Sequence, residues 1–274
     1  MSAAPTGGLD ELTDPLEADC SACFSLCCVG TTFTRSAEFA FSKAKDVPCR
    51  HLEEGPTSPR LGCGIHGALR DRGMAGCVSF DCLGAGQRAS ADWTRDHGAG
   101  SPHTSALFQH FRDLVRVHVA LWHVRAAGEH LDAAGHPEPG LRDRITEAYA
   151  ALELRSTTPA APPVAEIALD PLLREVSEAL RPSRPSPRAG LTGRSARGAE
   201  LRDVSLVGAL LLGAQLQGCD LRGADLRGAD LRAADLKGAD LRGALFLRDS
   251  QLRAALGDRA TQLPDRNRRP EHWG

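Results

Sequence analysis

The chain has 274 residues, enough for one large domain or two small ones. Its 33 lysines and arginines nearly balance 35 aspartates and glutamates, so no strongly basic field is present to hold nucleic acid non-specifically. No run approaches the roughly 18 apolar residues of a membrane span, and residues 1–14 lack the basic and apolar regions of a signal peptide. We therefore expect a soluble, cytoplasmic protein that binds neither membranes nor nucleic acid.

Composition divides the chain into six segments, which together predict a multidomain α+β protein. In chain order they are a disordered leader over 1–17, a cysteine-rich metal-binding domain over 18–100, a helical hairpin over 101–155, a proline-rich linker with one short helix over 156–188, a repeat domain over 189–248 and a C-terminal cap over 249–274.

The cysteine-rich segment holds eight of the nine cysteines within 63 residues. The eight candidate metal ligands are Cys20, Cys23, Cys27, Cys28, Cys49, Cys63, Cys77 and Cys82. In a reducing cytoplasm such clustering is more typical of metal or redox chemistry than of disulfides, because thiolates bind Zn²⁺ and iron–sulfur clusters well. A small domain with few apolar residues would also gain stability from metal binding.

The spacing of these cysteines resembles the CxxCxxCC family of zinc- or iron-chelating proteins, and that resemblance implies a zinc or iron–sulfur centre. The matching motifs are Cys20-x2-Cys23-x3-Cys27-Cys28, Pro48-Cys49-Arg50-His51-Leu52, Cys63-Gly64-Ile65-His66 and the pair Cys77 and Cys82. The sequence departs from the family in two places. One extra residue precedes Cys27, and Arg72-Gly73 stands where the family has Arg-Pro.

Only part of this set is expected to bind metal. Adjacent side chains of an extended chain point to opposite faces, so we expect that Cys27 and Cys28 do not both bind one ion. His51 and His66 could add ligands, although surface or supporting imidazoles are the more common outcome at such positions.

Helical spacing of apolar residues predicts a helix over about 105–131, a second over 141–154 and a short one over 171–180. The apolar positions of the first helix are Leu107, Phe108, Phe111, Leu114, Val115, Leu121 and Trp122. His118 lies on the same face, and we expect it to be buried and hydrogen-bonded. The segment 84–87 lacks the strand–loop–helix context of a phosphate loop and is predicted to be a turn.

From residue 199 the sequence repeats every five residues, as AELRD, VSLVG, ALLLG, AQLQG, CDLRG, ADLRG, ADLRA, ADLKG, ADLRG and ALFLR. A leucine or a final Phe246 holds the centre of each pentad, and two residues earlier lies a small side chain, usually Ala. A period of five fits neither helix nor strand and predicts a solenoid. We expect one pentad per side of a square coil, with leucine inside and the flanking Asp and Arg in water. Cys219 occupies the position that Ala holds in most pentads, and we predict that it packs inside the coil.

This pattern resembles the A(D/N)LXX repeat of the pentapeptide-repeat family, which implies a right-handed quadrilateral β-helix. With two weaker pentads upstream, centred on Leu191 and Ala196, the array makes about three coils and a stack of about 15 Å. The whole arrangement, including the LP…RPxHW tail, resembles a group of actinobacterial pentapeptide-repeat proteins with no assigned reaction.

Some members of that family imitate DNA and shield topoisomerases, which requires a long and strongly anionic rod. The array here carries seven acidic residues against nine basic ones on a short stack, so a topoisomerase-binding DNA mimic is the least favoured function. We expect instead a solvated face with cross-coil ion pairs, each of which stabilises little, or a patch that docks a protein.

The sequence thus favours a metal-binding protein, with Zn²⁺ or an iron–sulfur cluster, whose repeat scaffold binds a protein partner through its faces. One alternative is an iron–sulfur redox protein or enzyme in which His66 or His118 handles electrons or substrate. Another is a structural zinc domain on an interaction module. No residue is predicted to be catalytic, and the sequence leaves the metal, the partner and the oligomeric state open.

Overall fold

The computed structural model describes residues 16–55, 58–98, 104–136, 139–158, 169–181 and 192–274. The chain divides into two compact units. The first comprises Met1–Thr34, Ser42–His66 and Cys82–Trp122, and the second Arg35–Phe41, Gly67–Asp81 and His123–Gly274. Residues 1–15 of the predicted leader, the spacer 182–188 and the pentad at Leu191 lie outside the described residues.

The first unit is built from short elements around two helices. A 3₁₀ turn at Cys20–Ala22 leads into α1 (Leu26–Gly30). An antiparallel hairpin of β1 (Leu52–Gly55) and β2 (Ser58–Cys63) follows, then α3 (Ala85–His97) and the N-terminal part of α4 (Ser105–Ala133). The intervening α2 (Ala75–Ser79) belongs to the second unit.

The cysteine segment and the first predicted helix share one apolar core in this unit, although we predicted separate domains. The core members are Cys23, Leu26, Val29, Ala85, Ala89, Leu107, Phe108, Phe111 and Leu114. The segment therefore does have a core, because α4 supplies four of these nine residues. Leu16, predicted as part of the leader, is also buried at 3% exposure.

The second unit contains α2, the rest of α4, α5 (Pro139–Thr157), α6 (Leu169–Leu180), the repeats, α7 (Asp249–Ala254) and a 3₁₀ turn at Glu271–Trp273. Each of the three predicted helices is present and extends a few residues further than its apolar pattern. None of the helices in the described ranges has an apolar stretch long enough to cross a membrane.

The repeats form a coil of twenty residues per turn. Parallel bridges pair Ser195 with Gln215, Glu200 with Asp220 and Ser205 with Asp225, so four pentads complete each turn. Backbone hydrogen bonds such as Leu221 N to Asp240 O, at 2.8 Å, repeat this register. The pairing consists of isolated bridges rather than long strands, since each side of the coil is only one pentad long. The predicted β-helix is therefore present, while its right-handed sense stays a prediction.

The inside of the coil is filled as the sequence predicts. The central leucines of six consecutive pentads, Leu211, Leu216, Leu221, Leu226, Leu231 and Leu236, are at most 1% exposed. The alanines two residues earlier fill the corners, and Ala214, Ala224 and Ala234 are fully buried. Cys219, at an Ala position, is 1% exposed, and its Sγ donates to the Ala196 carbonyl at 2.8 Å.

The ladder continues past residue 248 into the segment predicted to be a cap. Asp235 pairs with Leu256 and Asp240 with Gln262, so the spacing grows beyond twenty residues where α7 is inserted. Trp273 is 3% exposed, lies at the edge of the same core and donates from Nε1 to the Ala255 carbonyl at 3.2 Å.

The charged side chains on the outside of the coil interact mainly within their own pentad. Asp220 Oδ1 accepts from the backbone N–H of Arg222 at 3.1 Å, an Asx-type contact that Asp readily makes in a turn. The Arg222 side chain returns to the same carboxylate at 2.5 Å, whereas its cross-coil distance to Asp240 is 3.7 Å. The ion pairs that we predicted between coils therefore form mainly between the Asp and the Arg of one pentad, because both side chains project from the same tight turn.

One pentad does not face water as predicted. Asp225 is fully buried and Arg227 is 8% exposed. Ser177 of α6 donates to Asp225 Oδ2 at 2.5 Å, and Arg227 lies over the Phe246 ring, 5.7 Å from its centroid. Helix α6 therefore covers this side of the coil.

Ala233 takes the turn position that glycine holds in most of the pentads. Its φ is +54°, against +66° for both Gly228 and Gly238. An L-residue in this region is strained by about 1–2 kcal/mol, and the exposed Ala233 side chain has little packing to lose. Glycine also makes the unfolded chain more flexible, so we expect Ala233→Gly to stabilise the protein by about 1 kcal/mol in urea unfolding. Gly238→Ala is the matched control and should destabilise by a similar amount.

His130 links α4 to the end of the coil and makes stability depend on pH. Its Nε2 accepts from the Phe246 N–H at 3.1 Å, and burial, followed by the charge of Arg266, lowers its pKa to about 4. In the unfolded chain this histidine has a pKa near 6.5, so between pH 6.5 and about 4 the unfolded state binds more protons than the folded state. The free energy of unfolding is therefore highest above this window and falls as the pH falls through it. Between pH 7 and 5 we expect a loss of about 2 kcal/mol that His130→Gln does not show. Urea unfolding at both pH values measures the difference. An equal loss of unfolding free energy in the natural chain and in His130→Gln would contradict this role of His130.

Candidate metal centre

The first unit contains seven of the eight candidate cysteines. Cys77 lies in α2 of the second unit. All nine cysteines of the chain lie among the described residues, and none of them forms a disulfide.

Four of these thiols surround one small cavity. The cysteines that line it are Cys20, Cys23, Cys27 and Cys82, and Gly86, Gln87 and Phe111 close it. Gly86 leaves room for two thiols, because a Cβ at this position would lie 2.7 Å from Cys23 Sγ and 3.7 Å from Cys82 Sγ. Both sulfurs therefore lie against the first turn of α3.

Local hydrogen bonds set the two N-terminal cysteines beside α3. Asp19 caps the 3₁₀ turn by accepting from the Ser21 N–H at 2.9 Å. Ser90 of α3 accepts from the Phe24 N–H at 2.9 Å and donates to the Gly86 carbonyl at 2.8 Å. The loop that carries Cys20 and Cys23 is thus tied to the helix that carries Gly86.

Cys82 is positioned by an unusual backbone segment. Leu83 and Gly84 both have positive φ, +49° and +80°, and the chain then enters α3 at Ala85. The predicted turn over 84–87 is therefore mostly the first turn of a helix. His118 is 3% exposed and its Nδ1 donates to the Leu83 carbonyl at 2.6 Å, which confirms the prediction of a buried, hydrogen-bonded histidine.

Cys27 and Cys28 lie in α1, so the extended backbone that we assumed for them is wrong, while the prediction that they do not both bind one ion stays a prediction. Neighbouring positions of a helix differ by about 100°, which lets the two thiols face a common region. A hydrogen bond between the two side chains lowers the pKa of Cys27 and raises that of Cys28. The adjacent pair is therefore a direct link between thiols.

A second group of thiols lies on the far side of this pair. The Cys49 N–H donates to the Cys28 carbonyl at 2.9 Å, and the Leu52 N–H donates to the Cys49 carbonyl at 3.0 Å. Leu52 in turn pairs with Cys63 across the hairpin, and the Cys63 thiol is within hydrogen-bonding reach of Cys28. Cys28, Cys49 and Cys63 are thus brought together by α1 and the hairpin.

The thiols oppose one another's ionisation. Burial, together with the neighbouring Cys27, Cys82 and Cys23, raises the pKa of Cys20 to about 11. Burial and then the charge of Cys49 and Cys27 raise the pKa of Cys63. A bound cation would reverse this repulsion, since metal binding deprotonates thiols.

The residue types that line this cavity fit a zinc or iron–sulfur centre. Four thiols around one cavity are the donor set that both centres use. In the described part of the chain, no three His, Cys, Asp or Glu side chains already stand in the arrangement of metal ligands. Binding would therefore require rotation of the thiol side chains.

The two candidate histidines flank the hairpin in sequence, and their role as ligands stays a prediction. His66 is exposed at the start of a 3₁₀ turn, His66–Ala68. The backbone carbonyl of His51 accepts from the Gly64 N–H at 2.9 Å and extends the hairpin.

Sequence reasoning missed Lys43, which is 6% exposed. Its Nζ donates to the carbonyls of Val29, at 2.7 Å, and Ala44, at 3.1 Å, and also to that of Thr31. Burial lowers its pKa, while the nearby Cys49 and Cys28 raise it. The only signal in the sequence is its rarity, as one of three lysines in the chain.

The comparisons with known proteins identify the repeats. Residues 188–223 and 209–246 match the family model "Pentapeptide repeats", in eight copies. The chain is also similar to an uncharacterized protein, YybG of Bacillus subtilis (strain 168), with 37% identity over 125 residues, 43% of this chain and 41% of that protein. The chain thus spans less than half the length of this relative.

Among solved structures, the chain is similar to a pentapeptide repeat protein, Rfr23, from the cyanobacterium Cyanothece 51142. The match has 32% identity and a TM-score of 0.23, and it covers 26% of this chain and 47% of that one.

Proposed function

We propose that this protein binds a metal, Zn²⁺ or an iron–sulfur cluster, through cysteines of its first unit, and that its pentapeptide repeats are a scaffold for a protein partner. The observation that carries the metal proposal is the cavity lined by Cys20, Cys23, Cys27 and Cys82. A bound cation would offset the repulsion between thiolates at this cavity and favour their ionised form, and soft sulfur donors select zinc and iron–sulfur centres.

An exposed apolar patch supports the scaffold role. Val207, Leu210 and Leu212 lie in adjacent pentads and are 43%, 59% and 38% exposed, where most other pentads carry charged side chains. Several exposed apolar side chains close together in a repeat array are typical of a binding face. A partner-binding screen that compares the natural chain with Leu210→Glu tests this role, and equal recovery of every partner would contradict it.

Purification without oxygen, followed by metal analysis and a visible spectrum, tests the metal proposal. Broad visible absorption with bound iron would favour an iron–sulfur centre, and colourless protein with stoichiometric zinc would favour a zinc site. Protein without metal, whose thiols all titrate as free, would refute the proposal.

A pair of buried cysteines gives a matched control. Cys23 is 9% exposed at the thiol cavity and Cys219 is 1% exposed in the repeat core. We expect Cys23→Ser to lower the metal content substantially and Cys219→Ala to leave it unchanged. The same metal loss in both variants would point to general unfolding instead of a lost ligand.

A further inference from the structure

We propose that the thiols of the first unit form two adjacent metal centres that meet at Cys27 and Cys28. The first would be held by Cys20, Cys23, Cys27 and Cys82, and the second by Cys28, Cys49 and Cys63. This inference rests on the proposed metal function and specifies how many metal sites it involves.

The number of thiols argues against a single ion. A zinc ion takes four protein ligands and an iron–sulfur cluster of the common types takes four cysteines. Seven cysteines lie in this unit, three more than one such centre uses.

The placement of the thiols separates them into the same two sets. The cavity against α3 contains Cys20, Cys23, Cys27 and Cys82 but none of the other three. Those three are assembled by a different part of the fold, because the Cys49 N–H is bound to the Cys28 carbonyl and the hairpin brings in Cys63.

The link between the sets is short. Cys27 lines the cavity, and the next residue of α1 is Cys28, whose carbonyl accepts from the Cys49 N–H at 2.9 Å. A thiolate of Cys27 could therefore bridge the two metals and complete the second centre. With Zn–S bonds of about 2.3 Å, a shared sulfur would place the two ions less than about 5 Å apart.

Charge supports a second centre at this position. Seven thiolates around two divalent cations leave a net negative charge, which is costly away from water. The ammonium of Lys43, 6% exposed, is bound to the carbonyl of Val29, the residue after Cys28, where it would offset that charge.

The test is a titration of the reduced, full-length protein with Co²⁺ without oxygen, followed by thiolate-to-metal absorption, with Zn²⁺ content measured in parallel. We expect two equivalents for the natural chain and for Cys77→Ser. Cys20→Ser and Cys82→Ser should each keep one equivalent, and so should Cys49→Ser and Cys63→Ser. Two variants for each centre guard against one that fails to fold, and far-ultraviolet circular dichroism checks the helices.

One equivalent in the natural chain, lost in all four variants, would overturn the two-centre proposal and leave the proposed metal function standing. The loss of both equivalents in every folded variant would also overturn it, since two centres that share only Cys27 should fail separately. No Co²⁺ or Zn²⁺ binding at all would overturn the two-centre proposal, and it would refute the metal function as well if the protein purified without oxygen contains no iron.

Discussion

Leu226→Ala should lower the free energy of unfolding by about 2–5 kcal/mol, the range for a buried leucine replaced by alanine. Leu226 is fully buried in the middle of the coil. Its neighbours in the coils before and after, at twenty-residue spacing, are Leu206 and Phe246, at 3% and 0% exposure. Coil hydrogen bonds fix the spacing of these layers, so the cavity cannot collapse easily and the cost should fall in the upper half of the range.

Urea unfolding followed by circular dichroism measures this effect, and the chain offers a matched control. Leu210 belongs to the same repeat array but is 59% exposed, so Leu210→Ala should change stability by less than about 0.5 kcal/mol. Similar losses for the two variants would mean that the leucines do not differ in burial, which would contradict the coil.

Phe246→Ala should cost about 3–5 kcal/mol, the usual range for a buried aromatic residue. Phe246 is fully buried and its ring makes an edge contact with His130, with centroids 5.3 Å apart. The guanidinium of Arg227 lies over the same ring. Truncation would therefore open a cavity and also remove the apolar cover of two partly buried polar side chains.

The measurement is again urea unfolding, with Phe80→Ala as the control. Phe80 is 41% exposed, so its truncation should cost under about 1 kcal/mol. Phe246 also has a φ of +55°, which Ala relieves no better than Phe. A small effect for Phe246→Ala would show that the ring does not anchor the end of the coil.

The local pattern of the repeats predicted their structure because each side of the coil is specified within five residues. A buried Leu, a small corner residue and a tight turn are all chosen by near neighbours, and Leu226 and Ala224 illustrate the first two. The prediction that the pentad Asp residues face water was wrong at Asp225. This residue is buried by α6, whose Ser177 lies 48 residues before it in the sequence.

The cysteine region shows the opposite balance. Its residue types and spacing predicted thiol chemistry, yet not which thiols converge. Cys77 joins the second unit, while Cys82, only five residues later, faces a cavity in the first. The closeness of Cys27 and Cys28 depends on the single helical turn of α1, which no periodicity in so short a segment indicates.

The sequence by itself therefore determined the repeating coil, its leucine core and the identity of the thiol-bearing segment, since these follow from local period and composition. Only the tertiary structure decided which thiols share a cavity, that α4 completes their apolar core, and that Lys43 is buried beside them. Those outcomes depend on contacts between residues far apart in the chain, where a single sequence contains no local signal.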